Sequence, residues 1–143
     1  MRVMVIVKAS ADSEAGVLPT RQELTDMGKF NEELVKAGVM LAGEGLHPSS
    51  RGVRVTYAHG KVTVLDGPFT ETKELVAGFW LWQVKSMEEA VEWMRRAPFR
   101  HFNREEAVEI RRVFEAEDFG DNLTPELKAQ EESQRARSNA LKQ

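Results

Sequence analysis

The sequence predicts an α+β fold of ferredoxin-like βαβ-βαβ order, with an antiparallel sheet, an inserted β-hairpin and a C-terminal helical tail. Three observations predict it. Two runs that are apolar on both alternating faces, MRVMVIVKA and LVAGFWLWQV, each lead into an amphipathic segment with a helix start signal. Two alternating runs around His59-Gly60 lie between these halves. Large apolar residues become sparse after Phe114.

Taken in order, Met1–Ala9 has the pattern of a strand buried on two sides. A loop of small and polar residues follows. Thr20, with Glu23 three residues on and Pro19 before it, then predicts a capped helix start. Leu24, Met27, Phe30, Leu34 and Val35 form the apolar stripe of that helix, and Gly38 closes it. Val39–Leu41 is a short strand running into GEGLHPSSRG, whose glycines and proline exclude a helix. Val53–Ala58 and Lys61–Leu65 form the hairpin. DGPFTETKE (Asp66–Glu74) connects it to the strand Leu75–Val84. Ser86 and Glu89 predict a second capped helix, with Met87, Ala90, Val91 and Met94 on its buried face and Pro98 at its end. Ala107–Phe114 is the last strand of a domain spanning residues 1–120. The tail, residues 121–143, carries Thr124-Pro125 as N-cap and first helical position. Beyond Pro125, Leu127 and Leu141 are the only large apolar residues, so alone it is a marginal helix.

A length of 143 residues with 41% hydrophobic and 30% charged residues describes one globular domain. No apolar run approaches the roughly 18–20 residues of a membrane helix, and Val3–Val7 is too short for a signal sequence. The chain has no cysteine, hence neither disulfides nor thiol chemistry, which fits a cytoplasmic location. Sixteen acids balance sixteen bases up to Phe114, whereas seven acids face four bases beyond it. That neutral body carries no nucleic-acid footprint. A single βαβ-βαβ layer covers one sheet face, yet both faces of the long strands are apolar. A second copy is the expected cover, making a homodimer; the tail folding over the face is the alternative.

Several residues carry candidate chemistry. Asp66 is either the turn former of Asp-Gly-Pro or a general base at the mouth of a cleft. Thr72 (or Thr70) can cap a short helical turn from which Glu71 and Lys73 project, as solvated charges or as the polar rim of a ligand site. Glu44 and His47 lie in GEGLHP, where an acid–base pair fits better than a metal site, since only His59 and His101 remain as further histidines. No metal and no cofactor is expected. Arg95, Arg96, Arg100, His101 and Arg104, with Phe99 and Phe102 interleaved, read as the cationic end of a helix and a solvated turn.

AGEGL (Ala42–Leu46), DGPFTETKE, and GFWLWQV followed by MEEAVEW resemble the YCII-related family, in the branch named for its Asp-Gly-Pro-Phe motif. The resemblance implies a dimeric α/β-barrel of ferredoxin-like subunits in a bacterial protein of undefined role. It further implies, from better-understood members, lyases that remove chloride from a chlorinated hydroxylated aromatic with a His–Asp pair. The first-helix position of that histidine is Met27 here, a ligand-lining candidate, and the helix holds no histidine. Two functions follow as expectations. One is cofactor-free lyase- or isomerase-like acid–base chemistry near the DGPF loop, using Asp66, His47 and Glu44, with Glu71, Thr72, Lys73 and Met27 as lining. The other is a ligand-sensing or regulatory dimer, linked through the resemblance to an alternative sigma factor.

Overall fold

The structure, a computed structural model, describes residues 1–142. It divides into two compact units, Met1–Arg112 and the segment from Val113 onward, taken separately below.

The first unit runs β1 (Arg2–Lys8), α1 (Ala11–Glu14), α2 (Arg21–Lys36), β2 (Met40–Gly45), β3 (Val53–Ala58), β4 (Lys61–Asp66), β5 (Val76–Gln83), α3 (Met87–Arg95) and β6 (Val108–Arg112). Short 3-10 turns occupy Ser49–Arg51, Thr72–Glu74 and Pro98–His101. Four strands make an antiparallel sheet in the order β2-β5-β1-β6, the ferredoxin-like arrangement of two βαβ halves.

The helix starts follow their local signals. Thr20 Oγ1 accepts the Glu23 N–H at 3.1 Å, and Ser86 Oγ accepts the Glu89 N–H at 3.1 Å. Glu89 does not reach back to Ser86 in a reciprocal box; its carboxylate takes the Lys85 N–H at 2.6 Å. The four-residue α1 lies in what the sequence presents as plain loop. Ser10 and Ser13 cap one another there, each hydroxyl accepting the other's backbone N–H.

Register decides which apolar face is covered. Val3 pairs with Trp82 and Val5 with Trp80, so these four share a face, and all are buried. Phe30 and Leu34 of α2, with Val39 and the α3-side Ala90 and Ala97, complete the core against them. Phe30 meets Trp80 edge-on at 6.0 Å between ring centroids and Trp82 at 6.4 Å. Burying Leu34 or Trp82 this fully stabilises the fold by about 2–3 kcal/mol each. Leu24, Val35 and Val91, predicted on buried helix faces, are exposed instead. They flank the stripe rather than centre it.

The other sheet face carries Met4 opposite Leu81 and Ile6 opposite Phe79. Met4 is 36% exposed and the other three are half-buried. The doubly apolar pattern of β1 and β5 thus corresponds to one packed face and one open face within this chain.

β2 extends to Gly45, past the predicted end at Leu41. It pairs with β5 as Gly43↔Trp80 and Gly45↔Gly78 after a bulge at Leu41. Glycine suits this edge because the backbones approach closely: a Cβ on Gly78 would stand 2.9 Å from the Glu44 carbonyl oxygen.

β3 and β4 form a separate two-stranded ribbon around His59 and Gly60, both in the left-handed region (φ 51° and 75°) that a two-residue hairpin turn of this hand requires. Val53, Val55, Tyr57, Val62 and Val64 line one side of it, all exposed.

In the second unit, Phe114 stacks on Phe119 with ring centroids 4.9 Å apart, and a 3-10 segment at Ala116–Asn122 is kinked at Gly120. α4 (Pro125–Ala140) starts as predicted, with Thr124 Oγ1 accepting the Leu127 N–H at 3.2 Å and Pro125 in its first turn. It buries no residue, and Leu141 is 89% exposed.

Candidate functional site

A cleft of about 270 Å³ opens between α2 and the β2–β5 edge of the sheet. Its floor is largely backbone, because Gly43, Gly45 and Gly78 line it where side chains would otherwise stand. A Cβ on Gly43 would press to 2.7 Å from Trp80 Cδ1 and 2.9 Å from Met40 Cε, whereas one on Gly45 would enter open space. Met27 and Asn31, one helical turn apart on α2, form one wall. Trp80 and Phe99, in edge contact with centroids 6.2 Å apart, form another. The extra residue at the Leu41 bulge sets the register of Gly43 and Gly45 against Trp80 and Gly78.

The main polar side-chain contact on this lining joins Trp80 to Asn31. The indole Nε1–H donates to Asn31 Oδ1 at 2.9 Å, which fixes both side chains. Asn31 is a residue that the sequence reading missed. Its signals were its spacing of four from Met27 on one helix face and the need of a largely buried tryptophan N–H for an acceptor. In the sequence, Phe99 stands out only as part of a basic run.

Glu44 is the ionisable residue among those lining the cleft. Register pairs it with Phe79, so its side chain starts from the sheet face opposite Trp80, and it is exposed. Of the other predicted site residues, Met27 lines the cleft; Asp66, His47, Glu71, Thr72 and Lys73 do not. His47 is exposed, with Nδ1 3.3 Å from an Arg51 guanidinium nitrogen. Thr72–Glu74 is the predicted short turn, but no side chain caps it; Glu71 sits at its N-cap and accepts the Thr70 hydroxyl at 3.1 Å.

Asp66 ends β4 opposite Val53, exposed, and the residues after it are tied to segments distant in the chain. The Gly67 N–H donates to Gly52 O at 3.0 Å, and the Phe69 N–H donates to Ser49 Oγ at 3.0 Å. Ser49 is held in turn by Glu14 of α1, whose carboxylate accepts its N–H at 3.0 Å and its hydroxyl at 2.5 Å. The Gly67–Pro68 peptide is cis. Phe69 lies under the Arg54 guanidinium, whose central carbon is 3.9 Å from its ring centre. The DGPF loop therefore fastens the hairpin to α1 and the Ser49 turn.

Three arginines of the basic run are engaged by acids. Arg95 pairs with Glu92 and Arg96 with Glu33, while Arg104 spans Glu23 and Glu106. Two Arg104 nitrogens reach Glu23 at 2.9 and 2.8 Å, a bidentate pair joining the start of α2 to the loop before β6. Hydrogen bonding to Arg104 holds the Glu23 carboxyl below its ordinary range, opposed by its partial burial. Arg104 is correspondingly held more firmly protonated. Met27 and Asn31 follow Glu23 at four-residue steps, so this clamp sits on the helix face that walls the cleft.

Among the described residues no group of three His, Asp or Glu is placed to hold a metal ion, and no helix is long and apolar enough to cross a membrane.

Comparison with known proteins follows from this geometry. An uncharacterized protein of Rhizobium meliloti (strain 1021) is 32% identical over 72 residues, which span 50% of this chain and 58% of that one. The match thus covers less than two thirds of the relative's length. Among solved structures, the chain is similar to 5-chloro-2-hydroxyhydroquinone dehydrochlorinase from Burkholderia phenoliruptrix AC1100, solved in complex with 2,5-dihydroxybenzoquinone. That likeness has 17% identity and a TM-score of 0.44, over 80% of this chain and 94% of that one. Residues 1–117, all of the first unit and the start of the second, match the YCII-related domain, and the chain belongs to the YCII-related family.

Proposed function

We propose that this YCII-related protein binds a small, flat, mostly apolar molecule in the cleft between α2 and the β2–β5 edge, and does so as a homodimer joined through the open sheet face. One observation carries the binding assignment: three glycines leave a side-chain-free floor beside Trp80, whose ring is locked by Asn31 and faced by Phe99. A flat backbone floor with aromatic walls matches a single ring in shape, and about 270 Å³ lies near the lower end of small-ligand sites. The dimer rests on the four apolar side chains of the open face, Met4, Ile6, Phe79 and Leu81.

Acid–base chemistry on a hydroxylated aromatic is the second reading; Glu44 is the ionisable residue on the lining, and it serves this chemistry only if its carboxylate turns from the opposite sheet face toward the ligand. Asp66 and His47, outside this cleft, serve it only if a ligand reaches beyond the lining. Titrating single-ring aromatics while following Trp80 fluorescence tests the binding assignment; saturable quenching that Trp80→Phe abolishes is the expected result. Assaying the same compounds for turnover with Glu44→Gln separates the two readings. Turnover lost in that variant supports the enzyme, and saturable binding without turnover supports the binding protein. Failure of every such compound to perturb Trp80 refutes the site itself.

A further inference from the structure

Asn31 selects what the cleft accepts: we infer that it is the ligand's hydrogen-bond donor and that the ligand presents an uncharged acceptor, such as a carbonyl oxygen, to its side-chain amide. This deepens the binding assignment above and rests on it.

An asparagine amide has an acceptor end and a donor end, and its partner decides which is which. Here the partner is an indole N–H, which donates and never accepts. The atom 2.9 Å from Trp80 Nε1 must therefore be Oδ1. The donor end is left with two N–H groups on a residue that lines the cleft, and among the described residues no acceptor takes them. Trp80 is thus a positioning residue, and its contact with Asn31 keeps the amide from turning over.

The charge of the ligand follows from the rest of the lining. The side chains of Val7, Met27, Trp80 and Phe99 are apolar or nearly so, and no lysine or arginine is among the lining residues. An anion entering here loses water without meeting a cation. A neutral acceptor loses less water and gains the Asn31 bond. A ring without an acceptor fits the same space and leaves the amide unpaired.

Three probes of nearly one shape separate these cases. Acetophenone carries a neutral carbonyl, α-methylstyrene replaces that oxygen by a methylene group, and benzoate carries a charge. Each is titrated into the ¹⁵N-labelled full chain, following the Trp80 indole and Asn31 side-chain amide signals. Asn31→Asp identifies the amide pair by its disappearance. It retains an oxygen for Trp80 and removes the donor.

Acetophenone is expected to shift the Asn31 amide pair and to bind about three- to tenfold more tightly than α-methylstyrene, the worth of one neutral hydrogen bond. Benzoate should be the weakest. In Asn31→Asp the preference for acetophenone should vanish while the Trp80 indole signal persists. Equal binding of acetophenone and α-methylstyrene, or a preference that survives in the variant, overturns the role of Asn31 and leaves the cleft assignment standing. Benzoate binding tightest overturns the neutral ligand. No response at Trp80 to any probe overturns the cleft assignment and this inference together. The unsubstituted chain decides the comparison even if the variant misfolds.

Discussion

Gly67 lies against the backbone of Ser49 so closely that a Cβ on it would overlap the Ser49 carbonyl oxygen and stand 2.7 Å from the carbonyl carbon. The contact closes a staple in which Glu14 holds Ser49, and Ser49 holds Phe69. Its atoms come from three segments separated by 35 and 20 residues. The Asp-Gly-Pro-Phe stretch thus has a packing explanation that includes its glycine.

Gly67→Ala is expected to destabilise the protein by about 1–3 kcal/mol, since the atom it would meet is backbone and cannot rotate away. Denaturant unfolding measures this. Hydrogen exchange should show the loss concentrated in β3, β4 and the Ser49 turn. A variant as stable as the parent would mean that the loop moves freely and does not fasten the hairpin.

Much of this architecture was legible beforehand, because its signals are local. Thr20, Ser86 and Thr124 sit at helix starts whose caps need only residues three positions away. The double apolar face of β5 is visible in eight residues. What the sequence hid depends on partners distant in the chain. Asn31 gains meaning only when Trp80, 49 residues on, is folded beneath it. The Glu14–Ser49 link spans 35 residues, and nothing near Ser49 announces it. Asp66 drew attention as an isolated carboxylate beside a turn, yet the cleft lies elsewhere, since its floor is made of residues that have no side chains to notice. Phe69 likewise owes its place to a distant residue, the Arg54 guanidinium over its ring.

The Arg104–Glu23 pair predicts a pH effect. The folded-state value of Glu23 is lowered from its ordinary 4.5, so its contribution is fully present above that pH. It is lost as pH falls through the lowered folded value. Both side chains keep some solvent exposure, so the pair is worth about 0.5–1 kcal/mol. Glu23→Gln should therefore lower stability by about that amount at pH 7. It should also flatten the decline of stability on acidification below about pH 4.5. Thermal melts of both proteins from neutral to acidic pH check it. Parallel curves would show that Arg104 does not bias the Glu23 proton.

The two β2 glycines should respond oppositely to substitution. Gly45→Val sends its side chain into open space in the cleft, on a strand that favours β-branched residues. Stability should change by no more than about 0.5 kcal/mol, while affinity for a bound ring such as acetophenone falls about tenfold or more. Gly43→Ala instead crowds Trp80 and Met40 and should cost about 1–2 kcal/mol. Comparing unfolding midpoints and Trp80 quenching in the two variants separates filling the cleft from disturbing its wall. Unchanged ring binding in Gly45→Val would place the ligand elsewhere.

The open sheet face sets the last prediction. Leu81 pairs with Met4 and neighbours Phe79 and Ile6, and within this chain these side chains are only half covered or exposed. A stable homodimer of ordinary size buries about 800 Å² per partner, around an apolar centre with a polar rim. Met4, Ile6, Phe79 and Leu81 supply such a centre, and Glu109 and Arg111, on the same face of β6 and 3.9 Å apart, supply part of a rim. Leu81→Arg puts an unpaired charge at the middle of that interface, where burial without a partner costs several kcal/mol. It leaves the helix-side core of Val3, Val5, Trp80 and Trp82 untouched. The parent chain is therefore expected to run as a dimer in light scattering coupled to gel filtration, and Leu81→Arg as a folded monomer with unchanged far-ultraviolet dichroism. A variant that remains dimeric would move the interface off this face. A monomeric parent would leave Met4, Ile6, Phe79 and Leu81 as solvent-facing residues of a protein that acts alone.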